Sequence, residues 1–160
     1  ANALLGEENK GFIYLMQELP RERLGLGSQA VGACEGAMAI TVDYVTQRKA
    51  FGSTVAQFQN TRFKMAELRA QLELTKAYLK QCEARFKLGA MTTEEASILK
   101  LMSTELQVKL THECLQLFGG YGYTEEYPIS RFFTDARVQT IYAGTSEIMK
   151  EVIARGELGR

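Results

Sequence analysis

Apolar residues recur along most of the chain at alternating spacings of three and four, the period of a helix with one buried face. The clearest case is Met65, Leu68, Leu72, Thr75, Leu79, Cys82 and Phe86, with Glu67, Arg69, Lys76 and Lys80 mostly off that stripe. It predicts a helix from about Gln57 to Leu88, stopped by Gly89. Thr92-Thr93-Glu94-Glu95 then reads as a capping box, opening a helix to about Phe118 with Leu99, Met102, Leu106 and Leu110 inward. Upstream, Phe12 to Leu19 is a short apolar stretch, and Pro20 suits the first position of a new helix running to about Lys49. Gly25, Gly27, Gly32 and Gly36 weaken that helix, and close packing is the expected reason for them. Phe51-Gly52-Ser53-Thr54 breaks the chain, and Gly119-Gly120 breaks it again. A short helix after Pro128 reaches about Val138, and a last one follows Gly144-Thr145 to about Gly156. No strand is expected beyond the first few residues. The fold class is all-α: an antiparallel four-helix-type bundle with short terminal helices. Its long helices of roughly 27–32 residues span about 40 Å at 1.5 Å per residue.

Length and charge narrow the picture. The 160 residues suit one domain, and 46% of them are hydrophobic. Lys plus Arg equals Asp plus Glu at 19 each, so neither nucleic acid nor an anionic membrane is an expected partner. The longest apolar runs, such as Ala37 to Val42, are too short to span a bilayer. The amino end has no signal-peptide pattern, and the absent initial Met fits a piece of a longer protein. Cys34, Cys82 and Cys114 are unpaired in spacing and fit a reducing compartment. His112 is the only histidine, so no metal site is expected.

Three places carry residue types suited to chemistry. Arg48-Lys49-Ala50-Phe51-Gly52 puts cations and an aromatic at a helix end, where cations also simply complement the dipole. Gln116-Leu117-Phe118-Gly119-Gly120-Tyr121-Gly122-Tyr123 lets a backbone approach a ligand closely. Ile141-Tyr142-Ala143-Gly144-Thr145-Ser146-Glu147 opens a helix, a ready site for an anionic or polar group and equally a plain N-cap.

Taken in order and with their gaps, these motifs, with Gln59 and Asp135-Ala136-Arg137, resemble the C-terminal domain of the acyl-CoA dehydrogenases from Gly11 to Arg155. The resemblance implies that residues 1–11 end a preceding β-domain and residues 12–160 form the helical domain. It implies FAD held between subunits, with Arg48, Phe51, Gln59, Gln116, Gly119 and Gly120 reaching a neighbour's cofactor. Thr145, Ser146 and Glu147 would meet the cofactor of the chain's own site. Self-association as a homotetramer, an acyl-CoA substrate and electron transfer to an electron-transferring flavoprotein follow from the same source. So does a location in the cytoplasm of a bacterium or the mitochondrial matrix of a eukaryote.

Many members of that family carry their catalytic glutamate directly before the Gly-Thr pair, where this chain has Ala143. A methyl group cannot take a proton. The long-chain and isovaleryl branches instead carry the glutamate early in the first long helix, before an arginine, and Glu22-Arg23 resembles that arrangement. Glu22 is therefore the expected base, with Arg23 and Gly144 beside the substrate; Glu18 and Glu35 have no family position behind them. An oxidase passing electrons to oxygen and a non-catalytic helical assembly domain are the alternatives.

Overall fold

A computed structural model describes residues 3–159; Ala1, Asn2 and Arg160, which the expected domain limits include, lie outside the described residues. Among the described residues there are five α-helices: α1 Gly11–Gln47, α2 Gln59–Lys87, α3 Thr93–Phe118, α4 Ile129–Gln139 and α5 Ser146–Leu158. α3 is the central element, and the other four all pack on it. The all-α class and the bundle are as the periodicity predicts.

Being covered on most sides, α3 buries polar residues as well as apolar ones. Ala96, Leu99, Leu106, Leu110, Cys114 and Phe118 face the core alongside Ser97, Lys100, Ser103, Thr104, Gln107 and Thr111. Ser97, Thr104 and Thr111 return their hydroxyl protons to carbonyls four residues back, so they enter the core already paired. Met102, expected inward, is 56% exposed, because α3 presents Leu99 and Leu106 rather than the side between them. On α2, Leu68, Leu72, Leu79 and Cys82 are buried as expected, while Phe86 emerges near the end of the helix. All three cysteines are free and buried, and burial, with Cys114 nearby, pushes the Cys34 thiol up to about 12.

Pro20 does not begin a helix. α1 runs unbroken from Gly11 with Pro20 inside it, forgoing one backbone hydrogen bond. Its first turns leave Phe12, Ile13, Leu15 and Met16 largely exposed. Among the glycines of α1, a Cβ would lie 2.6 Å from the Leu99 side chain at Gly27 and 3.1 Å from Phe132 at Gly36. Gly25 and Gly32 face open space, so close packing accounts for only two of the four.

The break after α1 contains a strand pair not expected from the sequence. Lys49–Ala50 (β1) pairs antiparallel with Ser53–Thr54 (β2) across Phe51 (φ 51°) and Gly52 (φ 82°). Two left-handed residues are what a tight two-residue hairpin turn demands. A phenylalanine there is unusual, and its ring is 97% exposed at the tip.

The start of α3 is a reciprocal cap. Thr92 Oγ1 accepts from Glu95 N–H at 3.1 Å, and the Glu95 carboxylate accepts from Thr92 N–H at 2.8 Å. Arg85 of α2 donates to the same carboxylate at 2.9 Å, fastening the turn between the two helices. Thr92→Ala should cost the domain about 1 kcal/mol, read as a lower urea midpoint. The Thr92 N–H first, and then Arg85, hold the Glu95 carboxyl below its ordinary value. Its contribution is complete above the unfolded carboxyl's value of about 4.3 and is lost as pH falls through the lower folded value.

Candidate functional site

The expected site residues fall into three groups around the bundle. In the first, α1 brings Arg23 against the turn that precedes α5. Arg23 is 4% exposed; its Nε donates to the Ala143 carbonyl at 3.4 Å and its Nη1 to Ser97 Oγ at 3.1 Å. Glu22, one residue earlier, is exposed. Beneath the same turn, the fully buried Lys100 donates to the Gly144 carbonyl at 2.8 Å. Ala143 (φ 53°) and Gly144 (φ 103°) are both left-handed, a shape that a non-glycine residue at 143 adopts only under constraint. Burial lowers the pKa of both cations, and for Lys100 the neighbouring Arg23 lowers it further. Neither cation has a carboxylate within ion-pair distance among the described residues.

The rival carboxylates are otherwise engaged. Glu18 lies 3.7 Å from Arg21, and Glu35 makes a 2.6 Å ion pair with Lys76.

In the second group, Thr145, Ser146 and Glu147 line a groove of about 440 Å³ with Glu105, Arg137 and Thr140. Thr145 is the N-cap of α5, its Oγ1 accepting from Ile148 N–H at 3.4 Å. The Ser146 hydroxyl donates to the Glu105 carboxylate. The Glu147 carboxyl is held below its ordinary value, first by its own N–H and then by the Thr145 hydroxyl. These side chains are thus already bonded within the protein, and the N–H groups of Ala143, Gly144 and Thr145 make no bond to protein among the described residues.

In the third group, Arg48, Gln116, Gly119 and Gly120 meet along an open groove of about 580 Å³ that Tyr44 and Tyr121 also line. Tyr44 stacks on Phe118 at 4.0 Å between ring centres and donates to the Phe118 carbonyl at 3.2 Å, which joins the end of α1 to the end of α3. The Arg48 guanidinium lies 5.2 Å from the centre of the Tyr121 ring. Phe51 and Gln59 do not line this groove; both are exposed beside it in sequence, with the Phe51 ring against Phe58.

Sequence reasoning missed Ser97, Lys100 and Glu105, and read Arg137 only as part of the Asp135-Ala136-Arg137 motif. For Lys100 a signal existed: it falls on the inward stripe with Ala96, Ser103 and Gln107, where a lysine needs a buried acceptor. His112 is exposed on the flank of α3, and no metal-ligand cluster occurs among the described residues.

The bundle thus carries a groove with one cation, Arg48, at the junction of α1 and α3, and a turn clamped by Arg23 and Lys100 at the start of α5. The family model described as acyl-CoA dehydrogenase, C-terminal domain, matches residues 9–158, and the chain belongs to that family. The mitochondrial long-chain specific acyl-CoA dehydrogenase of Mus musculus is 52% identical over 155 residues, 97% of this chain and 36% of that protein. The short-chain specific acyl-CoA dehydrogenase of Megasphaera elsdenii is 38% identical over 92% of this chain and 39% of its own length. A crystal structure of acyl-CoA dehydrogenase from Geobacillus kaustophilus superposes with a TM-score of 0.94 at 42% identity, covering 97% of this chain and 41% of that one. The chain therefore spans well under half the length of these relatives.

Proposed function

We propose that this domain serves an FAD-dependent dehydrogenase that introduces an α,β double bond into acyl-CoA thioesters, with Glu22 as the base. The observation supporting the proposal is that Arg23, the residue after Glu22, bonds the Ala143 carbonyl, in the turn where other family members carry their glutamate. Glu22 takes the α-proton, Arg23 steadies the turn, and Gly144, whose missing Cβ lets Met149 pack against it, meets the substrate through its backbone.

The residues fit FAD. Arg48 has no carboxylate partner among the described residues, Gln116 adds an amide, and a Cβ at Gly120 would meet nothing within 4 Å. A cation beside open backbone suits a pyrophosphate. Phe51 at its strained, exposed tip and Gln59 extend this face toward a neighbouring subunit's cofactor. Thr145, Ser146 and Glu147 serve the chain's own cofactor through the start of α5. When bound, FAD accepts the β-hydrogen as hydride.

Two faces support a larger assembly. The exposed apolar start of α1, with Leu4 and Leu5 before it, suits cover by a preceding β-domain that ends at about residue 11. The outward Arg48 face suits a homotetramer in which cofactors are shared. The physiological electron acceptor is an electron-transferring flavoprotein. No helix of the described residues is long and apolar enough to cross a membrane. The location is a reducing one, mitochondrial matrix or bacterial cytoplasm.

Anaerobic mixing of the full-length enzyme with a panel of acyl-CoAs tests this reading. Bleaching of the flavin is expected, and no bleaching with any chain length would overturn it. Arg48→Ala should weaken FAD retention by about 1.5–3 kcal/mol, followed by released flavin fluorescence. Unchanged retention would return Arg48 to a helix-end cation.

A further inference from the structure

Arg48 is exposed and meets no carboxylate among the described residues. Its guanidinium lies instead 5.2 Å from the centre of the Tyr121 ring, within the range where a ring's quadrupole attracts a cation. That ring is 47% exposed, so burial in the core does not account for an aromatic residue at this place.

The ring itself is held from below. Tyr44 of α1 stacks on the buried Phe118 of α3 at 4.0 Å between ring centres. The Tyr127 ring meets both of them edge-on at 5.8 Å, and Tyr121 leans on Tyr127 at 5.3 Å. The Tyr121 carbonyl accepts from the Thr124 N–H at 3.3 Å and from its hydroxyl at 3.1 Å, which fixes the backbone that carries the ring. Arg48 is tied at the other end: its N–H donates to the Tyr44 carbonyl at 2.8 Å, and its own carbonyl accepts from Val55 N–H at 2.8 Å. A run of aromatic contacts thus reaches from the core to the guanidinium, which sits with Gln116, Gly119 and Gly120 along one open groove.

We propose that Tyr121 is a positioning residue for the cofactor: its ring face holds the Arg48 guanidinium in place along the groove while leaving its charge free for a pyrophosphate. This rests on the reading of Arg48 as an FAD contact given above. A carboxylate in the place of the ring would also hold the arginine, but it would pair with the guanidinium and compete with an incoming phosphate. An aromatic face carries no net charge, so the cation is restrained and not neutralised. Restraint matters because a free arginine gives up rotamer freedom when it binds, and one ordered beforehand gives up less.

Release of FAD from the full-length enzyme, followed by flavin fluorescence, tests this. Tyr121→Leu keeps apolar bulk and removes the ring face, and should weaken FAD retention about two- to fivefold. Tyr121→Phe keeps the face and should retain FAD like the wild type. Phenylalanine carrying one, two and three ring fluorines at position 121 should weaken retention in steps, because fluorine withdraws negative charge from the face and barely alters the shape. Packing alone would give no such trend, and a flat series overturns the proposal. In an Arg48→Ala background, Tyr121→Leu should add nothing; a loss as large as in the wild type overturns the proposal too, since the ring then acts without the arginine. Should Tyr121→Leu fail to assemble, the fluorinated series decides alone, because each member keeps the ring. Failure of the underlying reading looks different. If Arg48→Ala leaves FAD retention unchanged, the arginine does not hold the cofactor and both ideas fall; if Arg48→Ala weakens retention and Tyr121→Leu does not, only the role of Tyr121 falls.

Discussion

Glu22→Gln in the full-length enzyme should cut flavin reduction by acyl-CoA by about a hundred- to ten-thousand-fold while FAD stays bound. The amide keeps the shape of the carboxylate but cannot accept the α-proton. The loss has to be chemical rather than structural, because Glu22 is exposed in this domain and holds no buried partner. Little change in the melting curve is therefore expected beside the large change in rate. The double change Glu22→Gly with Ala143→Glu should restore part of the activity. Position 143 is half-buried and already left-handed, so a glutamate there meets the same backbone cost that alanine now carries. Rescue would be incomplete, since a base misplaced by about 1 Å can lose two orders of magnitude. A Glu22→Gln enzyme that bleaches at the wild-type rate would remove Glu22 from the chemistry.

The physical signals that made the fold readable were periodic and local. The α2 stripe, the Thr92–Glu95 box and the Gly89 stop each depend on residues within one or two turns, and all recur in the structure. Pro20 misled because a local rule was applied where a long helix tolerates the lost bond. The Phe51-Gly52 hairpin was hidden because phenylalanine is a poor signal for a left-handed turn. At the candidate site, the motif residues were legible one by one, and their grouping came only through the family resemblance. Arg48 and Gln116 meet only because Tyr44 and Phe118 stack, and that contact joins helices 74 residues apart. Lys100 was legible only as a lysine on an inward stripe; its acceptor lies 44 residues away, in a turn whose shape no spacing rule supplies.

Gly122→Ala and Gly120→Ala should separate the fold of the Arg48 groove from its ligand chemistry. A Cβ at Gly122 would lie 2.6 Å from the Leu115 carbonyl oxygen and 2.9 Å from the Phe118 Cβ. The carbonyl is backbone held in α3 and the Cβ is fixed to it, so neither can turn aside as a flexible side-chain tip would. The 3-10 turn Gly119–Tyr123 must then lift from the end of α3, at about 1–3 kcal/mol for forced overpacking. Phe118 would shift with it, loosening the Tyr44 stack that closes the groove. Both a lower urea midpoint and weaker FAD retention are expected. Gly120→Ala places its methyl in open space, so stability should hold within about 0.5 kcal/mol. The same methyl projects beside the proposed cofactor path, and FAD retention should fall without any change in the urea midpoint. Urea unfolding and released flavin fluorescence, measured on both full-length variants, check the pair together. If Gly120→Ala retains FAD like the wild type, the cofactor does not pass along this groove, and the groove's glycines serve packing alone.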